Sequence, residues 1–279
     1  MSFKAVAWTL LAAVAFAAVL LFNYWAAYQP LSTLAYSGIV LALCGLASLA
    51  IPFPFLGIRK RAVGARILAC GVGLTIAALL WPAPMIRVAQ HRTVLDDVMP
   101  EYQFSERHSA RIHARPGQVM QAVRQSTFGD MKYLLTLLKI RGASLRTPSD
   151  ATSALLPDKP ILDAFSASGY VSGGSEHELV MCGGANVRAK RPLGVRTFEV
   201  CRDYREPGAI KVAFNFNVEE AGGGWSTIST ETRVVATDDS TRTGMSRYWR
   251  LIVPGSGLLR RQWLDGIKKR AESMPNPPS

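Results

Sequence analysis

The chain has 279 residues, 49% apolar and 19% charged, with a formal net charge of +12. This length allows one or two domains. Setting aside Lys4, Arg59, Lys60, Arg61, Arg66 and Arg87 leaves a remainder of mixed sign at +6, which suits a soluble surface and excludes a dedicated nucleic-acid groove.

Charge is unevenly spread. Every acidic residue lies at or after Asp96, and Ala5 to Ile58 contains no Asp, Glu, Lys, Arg or His. A bilayer core of about 30 Å takes roughly 20 apolar residues as a helix, and three segments fit: 5–27, 34–56 and 67–86. The first is too long for a signal-peptide core and ends in Asn23, Tyr24, Trp25, Tyr28 and Gln29, residues suited to the headgroup layer. Pro30 is expected to stop it. Prolines 52 and 54 should end the second span, and Trp81, Pro82 and Pro84 the third. Arg59, Lys60, Arg61 and Arg66 cluster in the second loop, and positive loops stay in the cytoplasm. The expected protein is multi-pass, in a bacterial inner membrane, with its N-terminus inside and everything after Ile86 in the periplasm or outside the cell.

Residues 89–103 read as a mixed-charge spacer. Phe104–His113 has strand character, and Pro116 suits a helix start, with Val119, Met120, Ala122 and Val123 on one face. Residues 130–140 read as a second helix, and Ile161, Leu162, Ala164 and Phe165 as one or two helical turns. Tyr170–Ser172, Glu178–Cys182 and Val195–Arg202 read as strands. Ala209–Val218 alternates, with Ile210, Val212, Phe214, Phe216 and Val218 on one face. Residues 220–224 form a turn into a strand over Trp225–Ala236. Pairing 214 with 230 and 216 with 228 puts Ile228 and Thr230 on the same dry face. Lys211, Asn215, Asn217, Thr227, Ser229, Glu231 and Arg233 then occupy a wet one.

The expected cover for the dry face is a terminal helix. Met245, Tyr248, Trp249, Ile252 and Val253 form one apolar stripe. Pro254–Gly255–Ser256 is expected to break it, with Ser256 capping a second helix that carries Leu259, Trp263, Ile267 and Ala271. Residues 273–279 are expected to be disordered.

The stretch FSERHSARIHARPGQVMQAV, an opening strand meeting a proline-led helix, and the final TETRVVATDDSTRTGMSRYWRLIVPGSGLLRRQWLDGIKKRAE resemble the START-like (SRPBCC) superfamily over residues 104–272. The resemblance implies an α+β helix-grip fold, a curved antiparallel sheet wrapped on a long C-terminal helix. It also implies a cavity for a lipid or other apolar small molecule, lined here by Phe214, Phe216, Ile228, Thr230, Tyr248, Trp249 and Trp263. The three preceding spans depart from soluble members and argue against a freely diffusing carrier. Two other functions stay open: a cyclase- or aromatase-like enzyme, with Glu231, Asn215 and His177 as first suspects, and an envelope assembly protein with a filled core.

No metal, nucleotide or cofactor motif is present. His91, His108, His113 and His177 lack metal-ligand spacing and read as solvated or hydrogen-bonded. Gly255–Ser256–Gly257 at a helix start, followed by Arg260 and Arg261, reads first as a cap with exposed arginines, with an anionic headgroup held by the helix-start amides as the alternative. Cys182 and Cys201 lie symmetrically about the turn at Arg191–Pro192. A hairpin there would place them opposite one another, and a disulfide would contribute about 3 kcal/mol; Gly183 and Gly184 leave that register open.

Overall fold

The computed structural model describes residues 29–51, 58, 60–131 and 158–275. The expected span over 5–27 lies outside them, as does the expected helix over 130–140 after Met131. The chain divides into two compact units: Met1–Pro82 with Ser246–Pro254, and Ala83–Met245 with Gly255–Ser279.

The first unit contains α1 (Pro30–Ala50) and α2 (Arg61–Leu80), both long and apolar enough to cross a membrane. Both begin earlier than their sequence windows. Pro30 opens α1, since a first helical position needs no N–H; the span it is expected to stop lies outside the described residues. Arg61 and Arg66 lie on the first two turns of α2. Leu43, Leu46, Ile76 and Leu80 are exposed, whereas the buried positions of the pair are small: Ser32, Ala35, Gly38, Gly45 and Ser48 on α1, and Gly64, Gly71 and Ala78 on α2. A Cβ at Gly45 would collide with the Leu68 backbone, and one at Gly71 with that of Ala42. The antiparallel pair is therefore held by backbone-to-backbone approach, as between helices that gain nothing from burying large side chains away from lipid. Ser246–Pro254 belongs to this unit. Trp249 Nε1 donates to Gln29 Oε1 at 2.9 Å, and Arg250 donates to the carbonyls of Leu79 (2.7 Å) and Trp81 (2.5 Å), a cation at a helix C-terminus.

The second unit is α+β. Its elements are β1 (Ile86–Arg87), α3 (Val94–Val98), β2 (Glu101–Tyr102), β3 (Phe104–Ile112), α4 (Pro116–Gln125), α5 (Ile161–Ala167), β4 (Val171–Gly174), β5 (Glu178–Asn186), β6 (Arg191–Pro192), α6 (Phe198–Asp203), β7 (Ala209–Gly222), β8 (Trp225–Ala236) and α7 (Asp239–Ser273). The main sheet runs β3-β8-β7-β5-β4, antiparallel throughout, with β6 on the end of β5. The β7–β8 register differs from the expected one by two residues: Phe214 faces Thr232 and Val218 faces Ile228. The reason is a shorter turn, which alone would shift the pairing by an odd number of residues, together with a bulge between Glu220 and Gly222 that makes the shift even. Gly222 pairs with Trp225, leaving only Gly223 (φ 61°) and Gly224 (φ 79°), both left-handed, to reverse the chain. A shift of two preserves the side-chain faces.

α7 is continuous through Pro254, contrary to the expected break, and Ser256 caps nothing. Proline removes only the hydrogen bond that the Arg250 carbonyl would accept, and both flanks are anchored. Ser246–Pro254 is fixed within the first unit, and Trp263, Leu264, Ile267 and Ala271 sit in the core of the second. The helix begins at Asp238, whose carboxylate accepts from Thr241 N (3.0 Å), Thr241 Oγ1 (2.7 Å) and Gly208 N (2.6 Å). Those bonds hold its pKa at about 2. At the far end Met274 packs on the core and the Pro275 carbonyl accepts from Gln118, so the expected disordered tail is ordered at least that far.

The sheet is covered on both faces. On one lies the expected core: Ile112, Val119, Val123, Phe214, Phe216, Ile228 and the second half of α7. The other is wet only in part: Asn217, Thr227 and Glu231 are half-buried, but Lys211, Asn215, Ser229 and Arg233 are buried. It is covered by Leu95, Val98, Met99, Leu193, Val195 and Cys201, packed on Val180, Cys182 and Ala213. Residues 94–98, expected in a spacer, form α3, capped reciprocally by Thr93 and Asp96. Glu178 accepts from Val94 N and Leu95 N, and Asn215 donates to it at 2.6 Å. Arg233 bridges Asp96 (2.7 Å) and Glu231 (2.6 Å) and donates to the Met99 carbonyl. Residues 198–203 are helical, not the expected strand, because Thr197 caps Val200 N. Cys201 on this helix is disulfide-bonded to Cys182, with Cα atoms 6.3 Å apart. The bond thus joins strand to helix, not two paired strands.

Candidate functional site

The layer between the sheet and α7 combines an aromatic wall with a buried polar group. Trp263 Nε1 donates to Ser126 Oγ at 2.7 Å, which fixes the indole against Phe216 (ring centroids 4.7 Å apart, near edge-on). Phe165 adds a third ring, 4.8 Å from Phe214 and parallel to Trp263. Phe214, Phe216, Ile228, Thr230 and Trp263 from the sequence reading all lie here, each 4% exposed or less. Tyr248 and Trp249 do not. They fall in the Ser246–Pro254 segment of the first unit, because the helix that carries them continues unbroken and divides its length between two packing environments.

The polar group comes from β3, β8 and α7. Strand parity puts Phe104, Glu106, His108 and Ile112 on the inner face, where Glu106 stands opposite Thr232 and His108 opposite Thr230. His108 Nε2 lies 2.7 Å from Glu106 Oε1, an imidazole donating to a carboxylate, and both side chains are at most 4% exposed. Arg260 enters from the helix. Its guanidinium carbon sits 4.4 Å above the Phe214 ring and 5.3 Å from that of Trp263, and Nη1 is 3.4 Å from Thr230 Oγ1. Burial lowers its pKa to about 10, against the pull of Glu106, so it stays cationic at neutral pH. Glu106 Oε2 and Thr232 Oγ1 are buried with no hydrogen-bond partner among the described residues. Such atoms are costly in an apolar layer.

These residues were legible only in part. FSERHSARIH shows the parity that turns Glu106 and His108 inward, but its charged residues mask the alternation. Arg260 looked like an exposed residue beside a helix cap, and only an unbroken α7 turns it toward the sheet. Glu231, Asn215 and His177 lie outside this layer. Asn215 and Glu231 face the second side of the sheet, where Asn215 bonds Glu178 and the Glu231 amide. His177 is exposed. Among the described residues no cluster of His, Cys, Asp and Glu is arranged to hold a metal ion.

Comparison with known proteins returns no match to a family model, a curated protein or a solved structure.

Proposed function

We propose that the chain is a membrane-anchored, START-like helix-grip module that binds a lipid or other largely apolar small molecule between the sheet and α7. The observation that carries this reading is the pair of unpartnered buried oxygens, Glu106 Oε2 and Thr232 Oγ1, beside Arg260 and under an aromatic wall. A ligand with a polar end would supply the missing hydrogen bonds while its apolar part meets Phe214, Phe216, Ile228 and Trp263. The basic loop at Arg59–Arg66 favours a cytoplasmic hairpin and a domain on the outer side of the membrane. The Cys182–Cys201 disulfide suits an oxidising compartment there.

Native mass spectrometry of the full chain released from mild detergent tests the reading. A small molecule should accompany the wild-type protein, and Glu106→Gln and Arg260→Met should reduce its occupancy. An empty wild-type protein after incubation with lipid extract would end this interpretation. The buried Glu106–His108 pair favours a second reading, a cyclase-like enzyme using a carboxylate-oriented imidazole as a base. Recovery of a bound compound in chemically altered form, dependent on His108, would select it.

A further inference from the structure

On the second face of the sheet, away from the aromatic layer, lies a cleft of about 420 Å³ bordered by Arg87, Glu101, Arg202, Asp203, Arg205 and Lys211. Its charges do not balance. Arg87 pairs with Glu101 at 2.9 Å and Arg202 with Asp203 at 2.9 Å. Among the described residues neither Arg205 nor Lys211 has a carboxylate within salt-bridge distance. Arg205 Nη1 donates to the carbonyls of Arg202 and Tyr204, and Lys211 Nζ to that of Arg202. Capping the end of α6 accounts for those contacts, yet it uses only one of the three N–H donors of Lys211 and only Nη1 of the Arg205 fork.

Lys211 is 5% exposed, and an ammonium so buried is costly unless an anion compensates it. Burial, then repulsion from Arg205, lowers its pKa to about 8 even though Asp203 and Glu101 pull the other way. The cleft is thus built with an excess of two positive charges, one of them buried on a rigid central strand.

We propose that this cleft is a binding site for a phosphate group, held by Lys211 Nζ and the free edge of the Arg205 guanidinium, with Arg87 and Arg202 at the rim. Arg205 Nη1 and Lys211 Nζ converge on the same Arg202 carbonyl, and a guanidinium fork beside an ammonium offers donors to several oxygens of a tetrahedral oxyanion at once, more than a single carboxylate can use. The group is either inorganic phosphate or the headgroup phosphate of an anionic lipid. The site is independent of the sheet–helix reading, since it lies on the other face and uses none of the same residues.

Isothermal titration of the full chain in an uncharged detergent, with inorganic phosphate and separately with water-soluble dihexanoylphosphatidylglycerol, tests it. Binding of both ligands, or of phosphate alone, supports recognition of the phosphate itself. Binding of the lipid alone supports the headgroup as its source. In each case Arg205→Gln and Lys211→Met should weaken binding about tenfold. Arg205 is exposed, so its replacement leaves the fold intact and decides the matter if Lys211→Met is unstable. Affinity for the phosphodiester, whose own charge is constant over this range, should also fall as pH rises from 7 to 9, because Lys211, with a pKa of about 8, loses its proton in the unliganded protein. Failure of both ligands to bind, or binding that Arg205→Gln leaves unchanged, would overturn the proposal.

Discussion

On the α7 side of the sheet, dryness comes from bulk: Phe214, Phe216, Ile228, Trp263 and Ile267 fill the layer, and beside the small, bonded hydroxyls of Ser126 and Ser226 its main polar intrusion is the Glu106–His108–Arg260–Thr230–Thr232 group. On the other side the covering elements are short, and polar groups are matched nearly one to one. Asp96 with Arg233, Arg233 with Glu231, Glu178 with Asn215 and the amides of α3, and a disulfide hold down segments that have too little apolar surface to stay by themselves. The contrast shows why unpaired atoms are informative on the first face. Where buried polar groups serve only structure, as they do under α3 on the second face, they are satisfied; Lys211, further along the same face, is the exception.

The comparison can be broken at three places. Removing bulk should cost most: Trp263→Ala is expected to destabilise the second unit by about 3–5 kcal/mol, as large core truncations do. Denaturant titration of the full chain in detergent would read this, and a variant unfolding like its parent would detach α7 from the core. Cutting the tether on the second face comes next. The Cys182→Ala, Cys201→Ala double variant should lose about 3 kcal/mol, and a reducing agent should lower the wild-type melting temperature but not that of the variant. Smallest is the loss of charge matching, with Asp96→Asn expected to cost about 2 kcal/mol.

The Asp96 change also has a pH signature. Burial by itself would raise the pKa of Asp96. The hydrogen bonds from the Arg92 amide, Arg233 and Thr93 more than offset that and leave it below the ordinary value of 3.8. A depressed carboxylate stabilises the fold fully above its unfolded pKa and loses that contribution as pH falls through the folded value. Acid unfolding of the wild type below about pH 3.8 should therefore be steeper than that of Asp96→Asn. Equal acid sensitivity would mean that the Arg233 bridge adds no net stability.

Local pattern was enough for much of the fold. Period-two alternation identified β7 and β8, and because the register differed by an even number of residues the error never moved Phe214 or Phe216 to the wrong face. Pro116 marked the start of α4. The β-favouring residues of Val195–Arg202 predict a strand, while the cap at Thr197 and the bond at Cys201 make residues 198–203 a helix.

By itself the sequence determined the apolar N-terminal block, the antiparallel pair β7–β8 and the aromatic stripe of the last helix, since each depends on spacing within one segment. Only the tertiary structure decided that α7 passes through Pro254, that residues 94–98 cover the sheet and that Glu106, His108 and Arg260 meet. Those outcomes depend on which surface is available to bury a given residue, and that surface is made by segments far away along the chain.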